Sequence, residues 1–97
     1  MKREKLTVEQ INQALASLSG WDYQDGKLTK QFKFKSFAKA LGWMVSVGVE
    51  ADKMDHHPEW SNVYSRVTVN LTTHDMDNSV SSLDVSLAKI MDETARV

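Results

Sequence analysis

The chain has 97 residues, a hydrophobic fraction of 41% and a formal net charge of −1. These values fit one ordinary globular domain over residues 1–97, and the balanced charge gives no support for binding nucleic acid or an anionic membrane. The absence of cysteine excludes disulfides, thiolate metal sites and cysteine nucleophiles. No signal peptide is recognisable, and the longest apolar stretch, residues 40–49, is too short to span a bilayer, so we expect a cytoplasmic protein.

The first predicted helix covers residues 7–18. Thr7 and Gln10 have the spacing of a capping box, in which each side chain satisfies a backbone N–H of the other. Gly20 suits a left-handed position just after the helix. Steps of three and four give one apolar stripe, formed by Val8, Ile11, Leu15 and Leu18.

A β-hairpin is predicted next. Residues 21–24 have the composition of a short strand, and Asp25-Gly26 is a strong turn signal. Residues 27–35 then alternate between apolar and polar side chains, which predicts a strand with one buried and one solvated, cationic face. A solvated face explains these lysines better than a nucleic-acid site does, because no neighbouring basic cluster extends it.

Ser36 is the predicted N-cap of a longer helix that ends near Met54. Trp43, Val45 and Val49 place apolar groups outside the main stripe of this helix. A helix that is apolar over most of its circumference needs cover on several sides, so we expect a homo-oligomer, either a homodimer or a homotetramer. The main stripe itself is predicted to consist of Phe37, Ala40, Leu41, Met44, Val47 and Ala51.

A second hairpin is predicted from residues 59–64 and 67–73, with a tight turn at residues 65 and 66. Ser81 and Asp84 have capping-box spacing and open a last helix. The order α-β-β-α-β-β-α predicts an α+β fold, in which three helices pack on one face of a four-stranded antiparallel sheet.

Three histidines, His56, His57 and His74, lie at predicted element ends rather than inside apolar stripes. Pro58 disfavours helical geometry at His57, so the second helix must end about there. Asp52 lies one helical turn before His56, where a carboxylate can orient or charge an imidazole. The chain has no H-x-H or H-x-x-x-H pair and no serine in a nucleophile elbow. The residues therefore favour proton transfer on a small molecule over a metal site or a serine hydrolase.

The segment from Asp52 to Tyr64, with its acidic-x-x-x-His-His-Pro motif, resembles pterin-4a-carbinolamine dehydratases. Residues 72–75 and Asp84 fit the same family, and so does the Asp25-Gly26 turn. The resemblance implies the same α+β fold and the dehydration of 4a-hydroxytetrahydropterin to quinonoid dihydropterin. This step recycles the pterin cofactor of aromatic amino-acid hydroxylases, and the family itself uses no metal or cofactor.

The resemblance also implies the roles of single residues. His56, His57 and His74 would surround the hydroxyl-bearing C4a of the pterin, with Asp52 and Asp84 as the acidic residues of the catalytic group. We expect His57 and His74 to be the essential acid and base. A catalytic role explains Asp84 no better than a structural role does, in which it forms the capping box of the last helix together with Ser81. The residues expected to line the pterin are Asp55, His56, His57, Thr72, Thr73, His74 and Asp75.

The chain departs from the family pattern in the loop after residues 72–75. The loop is one residue longer than usual and lacks the usual glycine, although Asp77 or Asn78 can adopt a left-handed conformation in its place. Asp52 also replaces the glutamate of the family, which shortens its reach by one methylene.

The resemblance allows a second function of a different class. Some members of the family act as oligomerisation cofactors of a transcription factor through their helix surfaces. The apolar circumference of the second helix would serve such binding as well as it serves self-assembly.

Overall fold

The strands form one antiparallel sheet with the order β1-β2-β4-β3. The computed structural model describes residues 4–96. The strands are Asp22–Gln24 (β1), Lys27–Lys33 (β2), Glu59–Val63 (β3) and Arg66–Leu71 (β4), and the helices are Val8–Ser17 (α1), Phe37–Lys53 (α2) and Ser82–Ala95 (α3). The predicted α+β class and the order α-β-β-α-β-β-α are thus confirmed. Both predicted capping boxes, at Thr7 and at Ser81, are present.

The core lies between one face of the sheet and the helices. Alternate residues of β2 and β4 are buried, as the two-residue period of a strand requires. These sheet residues join one apolar cluster with side chains from all three helices: Ile11, Leu28, Phe32, Trp43, Val47, Val67, Val69, Leu71, Leu87 and Met91.

The predicted apolar stripe of α2 is partly wrong. Phe37 and Leu41 are 54% and 47% exposed, whereas Trp43, which the pattern placed outside the stripe, is 5% exposed. Trp43 is buried against α3, where its indole N–H donates to the backbone oxygen of Met91 at 3.1 Å. The small side chain of Ala40 lies in the same buried stripe. The apolar periodicity therefore predicted only part of the buried face of this helix.

The turn of the second hairpin lies one residue earlier than predicted. Val63 pairs with Arg66, which leaves Tyr64 and Ser65 as a two-residue loop. Tyr64 has a φ of 54°. The Asn62 side-chain amide donates to the backbone oxygens of Tyr64 and Arg66 at 3.0 and 2.8 Å. These bonds stabilise the left-handed residue and fix the position of the turn.

A partly buried ion pair connects the C-terminal half of α3 to the sheet. Lys30 Nζ lies 2.8 Å from Asp92 Oδ1, and the indole N–H of Trp21 donates to the same carboxylate at 3.0 Å. Lys30 Nζ also lies 4.5 Å from the ring centroid of Phe32. The ammonium group thus compensates the charge of the buried Asp92 carboxylate.

The predicted turn between β1 and β2 is confirmed, and it contacts the loop that precedes α3. Asp25 and Gly26 both have positive φ, 51° and 76°, as a two-residue hairpin of type I′ requires. The backbone oxygen of Gly26 accepts a hydrogen bond from Thr72 Oγ1 at 3.1 Å. A Cβ atom at Gly26 would lie only 2.7 Å from the backbone oxygen of Asn78.

Gly26→Ala should therefore destabilise the protein by about 2–3 kcal/mol, because alanine is strained at positive φ and its methyl group would meet the Asn78 carbonyl. Urea unfolding would measure the loss. Gly42→Ala is the matched control, since a Cβ atom there meets nothing within 4 Å. In the interior of α2 this control should gain about 0.5–1 kcal/mol. Equal stability of Gly26→Ala and wild type would contradict the prediction.

Candidate active site

α2 ends in a Schellman motif, and two adjacent histidines, His56 and His57, follow directly after its left-handed residue. Asp55 takes the left-handed position with a φ of 50°. The N–H of His56 donates to Ala51 O and that of Asp55 to Asp52 O, both at 3.1 Å. Aspartate tolerates this conformation better than most residues with a side chain. The helix thus ends before Pro58, as predicted, but the chain reverses its direction at Asp55.

His56 turns inward from this reversal and meets a buried carboxylate. His56 Nε2 lies 2.5 Å from Asp84 Oδ1, and both residues are buried. The other carboxylate oxygen, Oδ2, accepts from Thr73 Oγ1 at 2.8 Å and from the N–H of Ser81 at 2.9 Å. Asp84 is therefore both the partner of the α3 N-cap and the residue that holds His56. The predicted site role and the predicted capping role of Asp84 are therefore compatible, because one carboxylate makes both sets of contacts.

His57 points the other way and lies beside Asp52. Its Nε2 is 3.5 Å from Asp52 Oδ1, and both side chains are largely exposed. The imidazole that Asp52 contacts is thus that of His57, although the helical spacing placed Asp52 one turn before His56. The Schellman reversal turns His56 toward α3 and leaves His57 next to the last turn of α2.

His74 has an acidic partner that the sequence did not reveal. It opens a short 3-10 helix, His74–Met76, and its Nε2 lies 2.9 Å from Glu59 Oε2. The other oxygen of Glu59 accepts from Lys27 Nζ at 2.7 Å. The hydrogen bond from Lys27 lowers the pKa of the Glu59 carboxyl below its ordinary value. Partial burial opposes this effect, and the charges of Lys27 and His74 add to the lowering.

The loop after the 3-10 helix lacks the glycine usual in the family, and two other residues take the left-handed conformation there. Asp77 and Asn78 have φ values of 57° and 52°. The N–H of Thr73 donates to Ser79 O at 2.9 Å, which closes the loop next to the N-cap of α3. The extra residue is accommodated in this loop, and Asp84 still reaches His56.

The histidines surround one cavity of about 220 Å³. Asp52, Glu59 and Asp84 do not line it, but each contacts one of the histidines that do. Three imidazoles, each paired with its own carboxylate, form an arrangement suited to moving protons near neutral pH. The cavity is lined by the seven residues expected to contact the pterin: Asp55, His56, His57, Thr72, Thr73, His74 and Asp75.

Two further properties concern the described part of the chain. Within residues 4–96, no group of three histidine, aspartate or glutamate side chains is arranged to hold a metal ion. The helices found in that range are also too short or too polar to cross a membrane.

The fold and the cavity define an α+β protein with a candidate acid/base site. Residues 4–94 match the family model for pterin 4 alpha carbinolamine dehydratase. Proteins of Brucella ovis and Brucella canis, each called "putative pterin-4-alpha-carbinolamine dehydratase", are 45% identical over 97 residues, which cover 98% of this chain and 99% of each relative. The chain belongs to the pterin-4a-carbinolamine dehydratase family.

A solved structure has the same architecture. It is described as a transcriptional coactivator/pterin dehydratase from Brucella melitensis. The two chains are 44% identical and superpose with a TM-score of 0.90, over 94% of this chain and 98% of the other. The fold of this chain is therefore that of a structurally characterised relative.

Proposed function

We propose that this protein dehydrates 4a-hydroxytetrahydropterin to quinonoid dihydropterin and water, as a step in recycling a pterin cofactor. The observation that carries the proposal is the single cavity where His56, His57 and His74 meet. Membership of the dehydratase family supports the choice of substrate. The protein would act in the cytoplasm without a metal or cofactor of its own.

The reaction needs one acid and one base. An acid protonates the hydroxyl group on C4a, the C4a–O bond breaks and water leaves. A base takes the proton from N5, and its electron pair forms the C4a=N5 double bond. Imidazoles suit both roles because they exchange protons near neutral pH.

The surroundings of the histidines suggest how the work is divided. His57 and His74 side chains are 61% and 68% exposed, so their rings are accessible to a substrate, and we assign them the acid and base roles. His56 is buried and bound to Asp84, which suits a supporting residue that fixes the wall of the cavity.

Polar groups at the rim of the cavity would orient the pterin. The carboxylates of Asp55 and Asp75 are hydrogen-bond acceptors that match the N–H groups of a pterin ring. The Thr72 and Thr73 segment forms the opposite wall and is held by bonds to Gly26 and Asp84. A wall fixed in this way reduces the conformational cost of binding.

The proposal is tested by stopped-flow absorbance, with chemically generated 4a-carbinolamine mixed with protein or with buffer alone. The protein should accelerate loss of the carbinolamine by at least roughly 10²-fold, the lower range for positioned acid–base catalysis. The control is a variant with alanine at positions 56, 57 and 74. No acceleration by a folded wild-type protein would contradict the proposal.

A second candidate function rests on the exposed face of α2. Four large apolar side chains lie there at steps of four residues, and each is about half exposed. We propose that this face mediates a homodimer or homotetramer, or binding to a transcription factor, as the coactivator description of the Brucella melitensis relative suggests. Mass measurement by light scattering, alone and with partners, separates these outcomes. The four residues are Phe37, Leu41, Val45 and Val49.

A further inference from the structure

Glu59 stands outside the cavity but is bound to one of its histidines. We propose that Glu59 is a positioning residue for His74, and that Lys27 tunes its effect. The inference rests on the proposed function, because it assigns Glu59 a part in the acid–base step that His74 would perform.

The sheet brings the three residues together. Lys27 and Glu59 are the first residues of β2 and β3, the two strands that flank β4. Glu59 pairs with Asn70, near the end of β4, and the chain reaches His74 four residues later. Lys27 and Glu59 lie on paired strands of the sheet, which hold their backbones in place. The Glu59 carboxylate can therefore position the exposed side chain of His74.

His74 needs such a partner more than His56 does. His56 is enclosed by the protein, whereas most of the His74 side chain is exposed to solvent. Glu59 is an acidic group within ion-pair distance of His74, with 2.9 Å between its Oε2 and the ring Nε2. A proton on Nε2 of His74 would face this carboxylate, and Nδ1 would then be the ring nitrogen that exchanges a proton with the substrate.

Lys27 competes with His74 for the same carboxylate. Each partner takes a different oxygen of Glu59, at 2.7 Å for Lys27 and 2.9 Å for His74. The anion favours the protonated imidazole, and the ammonium opposes it. The other charged or titratable groups that line the cavity with His74 are Asp55, His56, His57 and Asp75, and Asp52 and Asp84 lie behind the first two histidines.

The test combines NMR titration of the His74 ring with steady-state kinetics of carbinolamine dehydration. Glu59→Gln should move the titration midpoint of His74 to lower pH, because the anion beside the ring is gone. Lys27→Met should move it to higher pH, because the competing cation is gone. Glu59→Gln should also lower kcat by about tenfold and leave KM within about twofold of wild type. A merely structural role of Glu59 would not make the two variants shift the His74 midpoint in opposite directions.

Glu50→Gln is the matched control. It removes a carboxylate paired with Lys53 at 3.6 Å on α2, away from the cavity, and should leave both the His74 midpoint and kcat unchanged. An unchanged His74 midpoint in both Glu59→Gln and Lys27→Met would overturn the inference, and so would unchanged kcat in an active Glu59→Gln enzyme. If wild type fails to accelerate dehydration while the midpoints still shift in opposite directions, the proposed function fails but the coupling of Glu59 to His74 stands.

Discussion

Replacing His57 or His74 by alanine should each lower the rate of carbinolamine dehydration by about 10²–10⁴-fold, the range for loss of a positioned general acid or base. Both rings are exposed beside the cavity, and each would handle one of the two protons that the reaction moves. Single-turnover stopped-flow measurements would separate this chemical step from binding. The double variant should lose less than the product of the two single losses, because the residues act as a unit.

The loss must be distinguished from unfolding. Both side chains are largely exposed, so each alanine variant should keep its free energy of unfolding within about 0.5 kcal/mol of wild type. Full turnover in both single variants would refute the assignment of His57 and His74 as the essential pair. His56→Ala is the informative comparison, because its loss of activity should accompany a loss of stability.

Asp84→Ala should lower the free energy of unfolding by about 3–5 kcal/mol, because it removes a buried carboxylate that several buried groups use as a hydrogen-bond partner. Asp84 is fully buried, and its carboxylate is bonded to His56, Thr73 and the N–H of Ser81. Removing it leaves the His56 Nε2 atom and the Ser81 N–H group without this buried partner, while Thr73 keeps its contact with Ser81 Oγ. Because a small domain has only about 5–15 kcal/mol of stability, Asp84→Ala is expected to be close to unfolding at 37 °C.

Asp84→Asn keeps most of the volume and some of the hydrogen bonds, so it should lose less than Asp84→Ala. Asp52→Ala is the matched control, since that carboxylate is exposed at the C-terminal end of α2, where the helix dipole disfavours it. It should leave the free energy of unfolding within about 0.5 kcal/mol of wild type. Urea unfolding of the three variants would decide the matter. A loss below about 1 kcal/mol in Asp84→Ala would contradict the network described here.

Local signals in the sequence predicted the fold well. Capping residues such as Thr7 and Ser81, and the Asp25-Gly26 turn, act through contacts with near neighbours, so the sequence itself contains both partners. The buried face of α2 was harder, because Trp43 rather than Phe37 is selected by a distant backbone oxygen in α3. Tertiary packing decides such choices, and a periodic pattern does not record it.

The candidate site was predicted in its members but not in its pairings. The motif around His56 and His57 marked the cavity residues, which the structure brings together. The histidine that Asp52 contacts could not be predicted, because helical spacing cannot describe a chain that reverses at a left-handed residue. Glu59 was missed because its link to His74 depends on the order of the strands. The available signal was the position of Glu59, an acidic residue that follows His57 by two positions and begins β3.

The Schellman motif at the end of α2 restricts where residues can be inserted into or deleted from this chain. Each residue inserted into α2 would advance its end by about 1.5 Å and rotate it by about 100°. One insertion would therefore swing His56 away from Asp84 and disconnect the cavity wall from α3. The loop with Asp77 and Asn78 carries an extra residue without any such effect, because its two ends are fastened by their own hydrogen bonds. Insertions and deletions should be tolerated in that loop and excluded from α2.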